Sequence, residues 1–111
     1  EENLIENARE RGEQLSSSLR GFVEEYDFVV DSRGVGCVQG IELYEEGRPS
    51  KKVAEMVKWA LFDRGLLAIP VGRHHNVIKL TPPITITREQ MDEAISIIED
   101  SLREIKNRIL K

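Results

Sequence analysis

Three segments of this chain carry apolar residues at helical spacing, and the segments between them carry only short apolar runs of strand length. The helical segments are predicted over residues 2–25, after Ser50 and after Thr87. A helix of this kind buries its one apolar stripe, and a short alternating strand buries one face. The order helix, strands, helix, two strands, helix therefore predicts an α+β fold of two layers, with the helices packed on one face of a small, mostly antiparallel sheet.

Local signals mark the ends of the second and third helices. Ser50 is a candidate N-cap for the second helix, and Gly65 stands where a left-handed stop is expected. Thr87 and Gln90 have the spacing of a capping box at the start of the third helix. The buried stripe of that helix is predicted to contain Met91, Ala94, Ile95, Ile98, Leu102 and Ile105.

The region between the first two helices is predicted to be mainly extended. Residues 28–30 form a short apolar strand, and residues 31–34 carry a turn signal. Alternation then predicts that one face of the next strand carries Val35, Cys37, Ile41 and Leu43. Gly36 and Gly40 make the opposite face thin, so we expect another backbone or a ligand to approach closely there.

Two further strands are predicted at residues 66–69, ended by Pro70, and at residues 77–80. The turn between them contains His74 and His75, whose side chains diverge because they are adjacent. No cysteine or acidic residue follows at the spacing of a metal site, so we interpret them as exposed loop residues and predict no metal site.

The composition of the chain limits the partners and cellular environments that fit it. A formal charge of −4 without a basic block argues against nucleic acid. The longest apolar runs are strand-sized, which argues against a membrane span. The one cysteine, Cys37, excludes an internal disulfide and is compatible with a reducing, cytoplasmic location; we expect it to be buried and inert. A length of 111 residues fits one domain, residues 1–111.

Three stretches are informative together: residues 32–43 (SRGVGCVQGIEL), residues 64–67 (RGLL) and residues 76–87 (NVIKLTPPITIT). Taken together, they resemble the end of a class III, pyridoxal-phosphate-dependent aminotransferase. Residues 32–43 (SRGVGCVQGIEL) are similar to the family's small-domain strand, in which a Gly-x-Gly turn leads into Gly-Ile-Glu-Leu. Residues 64–67 (RGLL) resemble the helix end that enters a strand, and residues 76–87 (NVIKLTPPITIT) resemble the segment before the last helix. Their order and spacing extend over nearly the whole chain, and the 4-aminobutyrate and acetylornithine types look nearest.

The resemblance implies that residues 1–111 are the C-terminal small domain of a longer enzyme. Full-length members hold pyridoxal phosphate on a lysine of a large domain that precedes this region. The implied partners are that large domain, an amino-acid or amine substrate and a keto acid, and the full enzyme is expected to be a homodimer. This chain is expected to close the active site, to lack the Schiff-base lysine, to carry no cofactor or catalytic residue, and to be inactive alone.

The resemblance also singles out Lys79. The family's arginine that holds the substrate carboxylate falls at this position, and lysine is a flexible point charge where arginine is a two-pronged donor. The implied role of Lys79 is substrate binding, with Gly36 and Gly40 nearby. From the strand pattern alone, the side chain of Lys79 points to the face opposite to that of Ile78 and Leu80, which are predicted to be buried. A solvated lysine therefore also fits.

Two other functions fit the same pattern. A small α+β domain also suits a stand-alone ligand-binding or regulatory module that pairs sheet edges in a homodimer. A third interpretation is an excised or engineered domain whose only property is its fold.

Overall fold

The computed structural model describes residues 2–109, and the side chains from Asn3 onward. It contains helices and strands in the order that the sequence predicts. The elements are α1 (Glu2–Glu25), β1 (Val29–Val35), β2 (Val38–Glu45), β3 (Arg48–Pro49), α2 (Lys51–Asp63), β4 (Ile69–Val71), β5 (Val77–Leu80) and α3 (Arg88–Ile109). The predicted α+β class is confirmed.

The strands form one small sheet in which every pair is antiparallel. Its order is β1-β2-β5-β4, and the short β3 pairs with β2. α1 packs against β1 and β2, α2 packs against β2, β4 and β5, and α3 contacts α1 and α2. The helices therefore cover one face of the sheet, and the other face remains open.

One continuous core joins all three helices to the two central strands. Leu19, Leu43, Val57, Ile78 and Leu102, one from each of these elements, are fully buried. Each such side chain contributes about 1.5–3 kcal/mol when it leaves water. The core therefore holds the central strands in place and fixes which of their residues face outward.

The predicted helix ends are confirmed. The Ser50 hydroxyl accepts a hydrogen bond of 3.0 Å from the Val53 N–H at the start of α2. Gly65 follows α2 in the left-handed region, with φ +91°. At α3, Gln90 N–H donates to the Thr87 hydroxyl at 3.1 Å, and Thr87 N–H donates to the Gln90 side chain at 3.0 Å. These contacts satisfy N–H groups that have no partner within the helix.

The predicted turn at residues 31–34 is wrong. β1 continues to Val35, and the chain reverses through Gly36 and Cys37, between the paired residues Val35 and Val38. Gly36 has φ +57°, which the first position of a type II′ turn requires. Residues 31–34 have turn chemistry, but each of them pairs with β2. Cross-strand pairing has therefore overridden the local preference.

The predicted faces of the second strand also need correction. Val35, predicted on the buried face, is 86% exposed, whereas the polar Gln39 is only 4% exposed and lies on that face with Ile41. Gly36 lies in the turn and Gly40 lies within β2, so the two glycines do not share a strand face. The reversal at Gly36 separates them.

The strand predicted over residues 66–69 begins only at Ile69, and Pro70 lies inside it rather than ending it. β4 is an edge strand that pairs only with β5. Proline is tolerated at such an edge, where its missing N–H need not cost a ladder hydrogen bond.

Candidate functional site

The open face of the sheet carries one row of residues from four strands. Arg33 of β1 pairs with Gly40 of β2, Gly40 pairs with Lys79 of β5, and Lys79 pairs with Ile69 of β4. Directly paired residues point to the same face. Since Ile78 is buried on the helix-covered face, Lys79 and its row point away from the core. We call these four residues the Lys79 row.

Gly40 contributes no side chain to the middle of the Lys79 row. Neighbouring strands lie about 4.8 Å apart, so Arg33 and Lys79 stand on either side of the glycine. A Cβ placed on Gly40 would lie 3.2 Å from Cγ1 of Val77. Gly40 is itself buried, so Val77 already occupies the place beside it and a side chain at this position would crowd Val77.

The two cations of the row differ in how their charge is compensated. Nη1 of Arg33 lies 3.2 Å from Oδ2 of Asp31 and 3.4 Å from Oε1 of Glu42. Asp31 and Glu42 are themselves paired across β1 and β2. Lys79 is exposed and has no carboxylate within 4.0 Å in the part of the chain that the structure describes. An incoming anion is therefore attracted mainly to Lys79.

Exposed apolar side chains also lie on this face of the sheet. Ile69 is 64% exposed within the row, and Val38, which pairs with Val35 on the same face, is 47% exposed. The open face thus combines an uncompensated cation with apolar surface, which suits a carboxylate-bearing ligand beneath a cover.

Gly36, the other glycine that the sequence singled out, lies in the hairpin turn against α1. A Cβ built on Gly12 of α1 would lie 2.3 Å from the carbonyl oxygen of Gly36. The close approach at Gly36 is thus made by the backbone of α1. Helical spacing alone gave no signal for this contact, because the two residues are brought together only by the tertiary fold.

The remaining candidate groups do not join the Lys79 row. Cys37 is buried and its thiol donates to the carbonyl of Ala8, with Sγ 3.3 Å from the oxygen. Burial raises the pKa of the Cys37 thiol, so it stays protonated and a poor nucleophile. His74 and His75 are exposed in the loop before β5. Residues 2–109 contain no group of three or more His, Cys, Asp and Glu side chains placed to hold a metal ion.

A cavity of about 620 Å³ lies at another place, between the ends of α1 and α3 and the β2–β3 turn. Four carboxylates and one ammonium group line it: Glu25, Asp27, Glu45, Glu46 and Lys106. The excess of negative charge repels phosphate and carboxylate groups.

No helix within residues 2–109 is long and apolar enough to cross a membrane.

Sequence comparison supports one family. The family model "Aminotransferase class-III" matches residues 1–102. The alanine/serine racemase of Pyrococcus horikoshii is 36% identical over 105 residues, covering 94% of this chain and 22% of the racemase. The 4-aminobutyrate aminotransferase of Escherichia coli is 30% identical over 109 residues, covering 96% of this chain and 26% of the relative. The chain thus spans about a quarter of the length of these relatives.

Solved structures show the same fold. A phospholyase from Arthrobacter, in complex with phosphoethanolamine, superposes with a TM-score of 0.87 at 30% identity, over 92% of this chain and 25% of that one. Acetylornithine aminotransferase from Elizabethkingia anophelis superposes with a TM-score of 0.82 at 32% identity, over 93% of this chain and 25% of the other.

Proposed function

Since the chain belongs to the class III aminotransferase family, we propose that it is the C-terminal small domain of a longer pyridoxal-phosphate-dependent enzyme. The family match along residues 1–102, together with the quarter of the relatives' length that the chain spans, carries this proposal. The domain closes the active site with the open face of its sheet. The exposed apolar side chains on that face, and Lys79 without an acidic partner among the described residues, support the role.

The described residues do not fit pyridoxal phosphate on their own. Bound to an enzyme, this cofactor supplies an electron sink for the bonds at the amino carbon. It needs a lysine in a cleft and donors for its phosphate. The described lysines, Lys51, Lys52, Lys58, Lys79 and Lys106, are exposed or half-buried at the surface, and the cavity beside Lys106 is acidic. We therefore assign the cofactor to the large domain of the longer enzyme, and this chain is inactive alone.

Within the closed site, Lys79 binds the carboxylate of the amino donor. Lys79 has no acidic partner among the described residues, whereas Arg33 is already paired with two acidic groups. An ammonium group has three donors and no fixed plane, so it attracts a carboxylate without imposing one orientation. The apolar side chains around it exclude water, which strengthens the attraction.

The experiment is Lys79→Ala in the full-length enzyme. A hydrogen bond to a charged group contributes about 1.5–3 kcal/mol, so we expect KM for amino-acid donors to rise about tenfold or more. Cofactor binding and the kinetics with an amine that has no carboxylate stay unchanged. Lys79→Arg keeps the low KM, and Arg48→Ala, which removes an exposed cation from β3, serves as the matched control. Unchanged kinetics of Lys79→Ala with every donor would overturn the role.

A stand-alone ligand-binding module is the second candidate. It is favoured by the continuous core, which joins all three helices without any further domain. This alternative requires the chain alone to bind a small carboxylate at Lys79. Titration calorimetry with amino acids and keto acids decides the point: saturable binding that Lys79→Ala abolishes supports the module, and its absence excludes it.

A further inference from the structure

The face of α2 that points away from the core carries an exposed aromatic pair. Trp59 is 53% exposed and Phe62 is 51% exposed, and their rings meet edge to face with centroids 5.6 Å apart. Nζ of Lys58 lies 4.4 Å from the centroid of the Trp59 ring. The buried side of the same helix is formed by Val53, Ala54, Val57, Ala60 and Leu61. α2 therefore has a second apolar strip, here called the outer strip, that no described residue buries.

Charges at the two ends of the outer strip oppose the dipole of their own helix. Lys51 and Lys52 occupy the first turn of α2, where no acidic residue lies, and Asp63 ends the helix, whose last turn has no basic residue. A helix favours negative side chains at its N-terminus and positive ones at its C-terminus. At the C-terminal end Arg64 donates to the carbonyl of Ala60 at 3.0 Å, so the unfavourable charge that remains is mainly that of Lys51 and Lys52. Their charge becomes favourable beside the C-terminus of a helix that runs the opposite way.

We propose that the outer strip of α2 binds the outer strip of a second copy of this chain, with the two helices antiparallel about a two-fold axis. Lys52, Trp59 and Asp63 follow each other at spacings of seven and four residues, along one line of the helix. In an antiparallel pair, Lys52 then lies beside the partner's Asp63, and the partner's Lys52 lies beside Asp63. The same strip is used on both copies, as two-fold symmetry requires.

That register also brings the aromatic rings together. When Lys52 lies opposite the partner's Asp63, the two Trp59 residues are offset by three positions, which is about 4.5 Å along the axis. Phe62 flanks Trp59 on the same strip. One register thus satisfies the charges and buries the aromatic side chains at the centre of the contact, where the residues that dominate binding energy usually lie.

The expected affinity is modest. A helix of 13 residues is about 20 Å long, so the contact is smaller than a standard protein interface. We expect dimers of this chain to form at micromolar to millimolar concentration and to weaken as salt is added. The contact is independent of the Lys79 row, which lies on the far side of the sheet from α2, and it does not depend on the proposed function.

The first experiment is sedimentation equilibrium of residues 1–111 over a range of concentrations up to millimolar. Trp59 is the chain's one tryptophan, so its emission should shift to shorter wavelength as dimers form. Trp59→Ala combined with Phe62→Ala should weaken association at least about tenfold. Val38→Thr combined with Ile69→Thr is the matched control, because it removes exposed apolar surface from the open face of the sheet instead and leaves association unchanged.

The second experiment tests the register. K52E and D63K each place like charges opposite one another, so either variant alone should associate more weakly than the parent chain. An equimolar mixture of the two restores two opposite-charge pairs and should recover the parent's association. A chain that stays monomeric at every concentration would overturn the proposal. Association that Val38→Thr and Ile69→Thr abolish, or a mixture no stronger than either variant, would also overturn it.

Discussion

At the scale of single residues, Gly12 provides the sharpest stability prediction. Alanine normally favours a helix over glycine by about 1 kcal/mol. A Cβ at Gly12 would nevertheless lie 2.3 Å from the carbonyl oxygen of Gly36, within backbone that cannot move freely. We expect Gly12→Ala to lower the free energy of unfolding by about 1–3 kcal/mol, measured by urea denaturation.

Gly21 provides the matched control, since it lies in the same helix and a Cβ there meets nothing within 4 Å. Gly21→Ala should therefore raise stability by about 0.5–1 kcal/mol. If both substitutions stabilise the chain equally, α1 does not approach the β1–β2 turn as closely as described.

Residues also mark where inference from the sequence stops. Gly40 was singled out from the strand pattern and Lys79 from the family resemblance, but their pairing could not be predicted, because they are far apart in the chain and the register that joins them depends on the whole sheet. The same applies to Arg33, whose two acidic neighbours compensate its charge and leave Lys79 as the free cation of the row.

At the scale of elements, the α3 cap provides the second stability prediction. The reciprocal hydrogen bonds of Thr87 and Gln90 hold the first turn of the helix. Thr87→Ala should lower the free energy of unfolding by about 1 kcal/mol in urea denaturation. Thr85→Ala, at an exposed position before the cap, should change it little. Equal effects of the two substitutions would contradict the role of the cap.

Elements also differ in how far local sequence specifies them. The caps of α2 and α3 depend on residues within one helical turn, and both were predictable. The β1–β2 turn was not, because residues 31–34 have turn chemistry yet extend to pair with β2. The prediction that Pro70 ends its strand was wrong for the same reason, because its place within an edge strand follows from the order of strands in the sheet.

At the scale of the whole molecule, the order of helical and strand patterns was enough to predict an α+β fold with one sheet face covered. Because the helices cover one face of the sheet, the other face is either exposed to solvent or in contact with another domain or molecule. The charge and apolar side chains of that open face determine which partners it can bind. The sheet face that carries Lys79 and the aromatic strip on α2 are two distinct exposed surfaces, and we propose a contact for each.

The central claim is that these residues are one domain of a longer class III enzyme. The most direct test is the mass of the gene product isolated from its source cell with an antibody against residues 1–111. We predict a product several times heavier than 12.7 kDa, in proportion to the 22% and 26% of its relatives that the chain spans, with pyridoxal phosphate bound. A product of 12.7 kDa without the cofactor would contradict the claim.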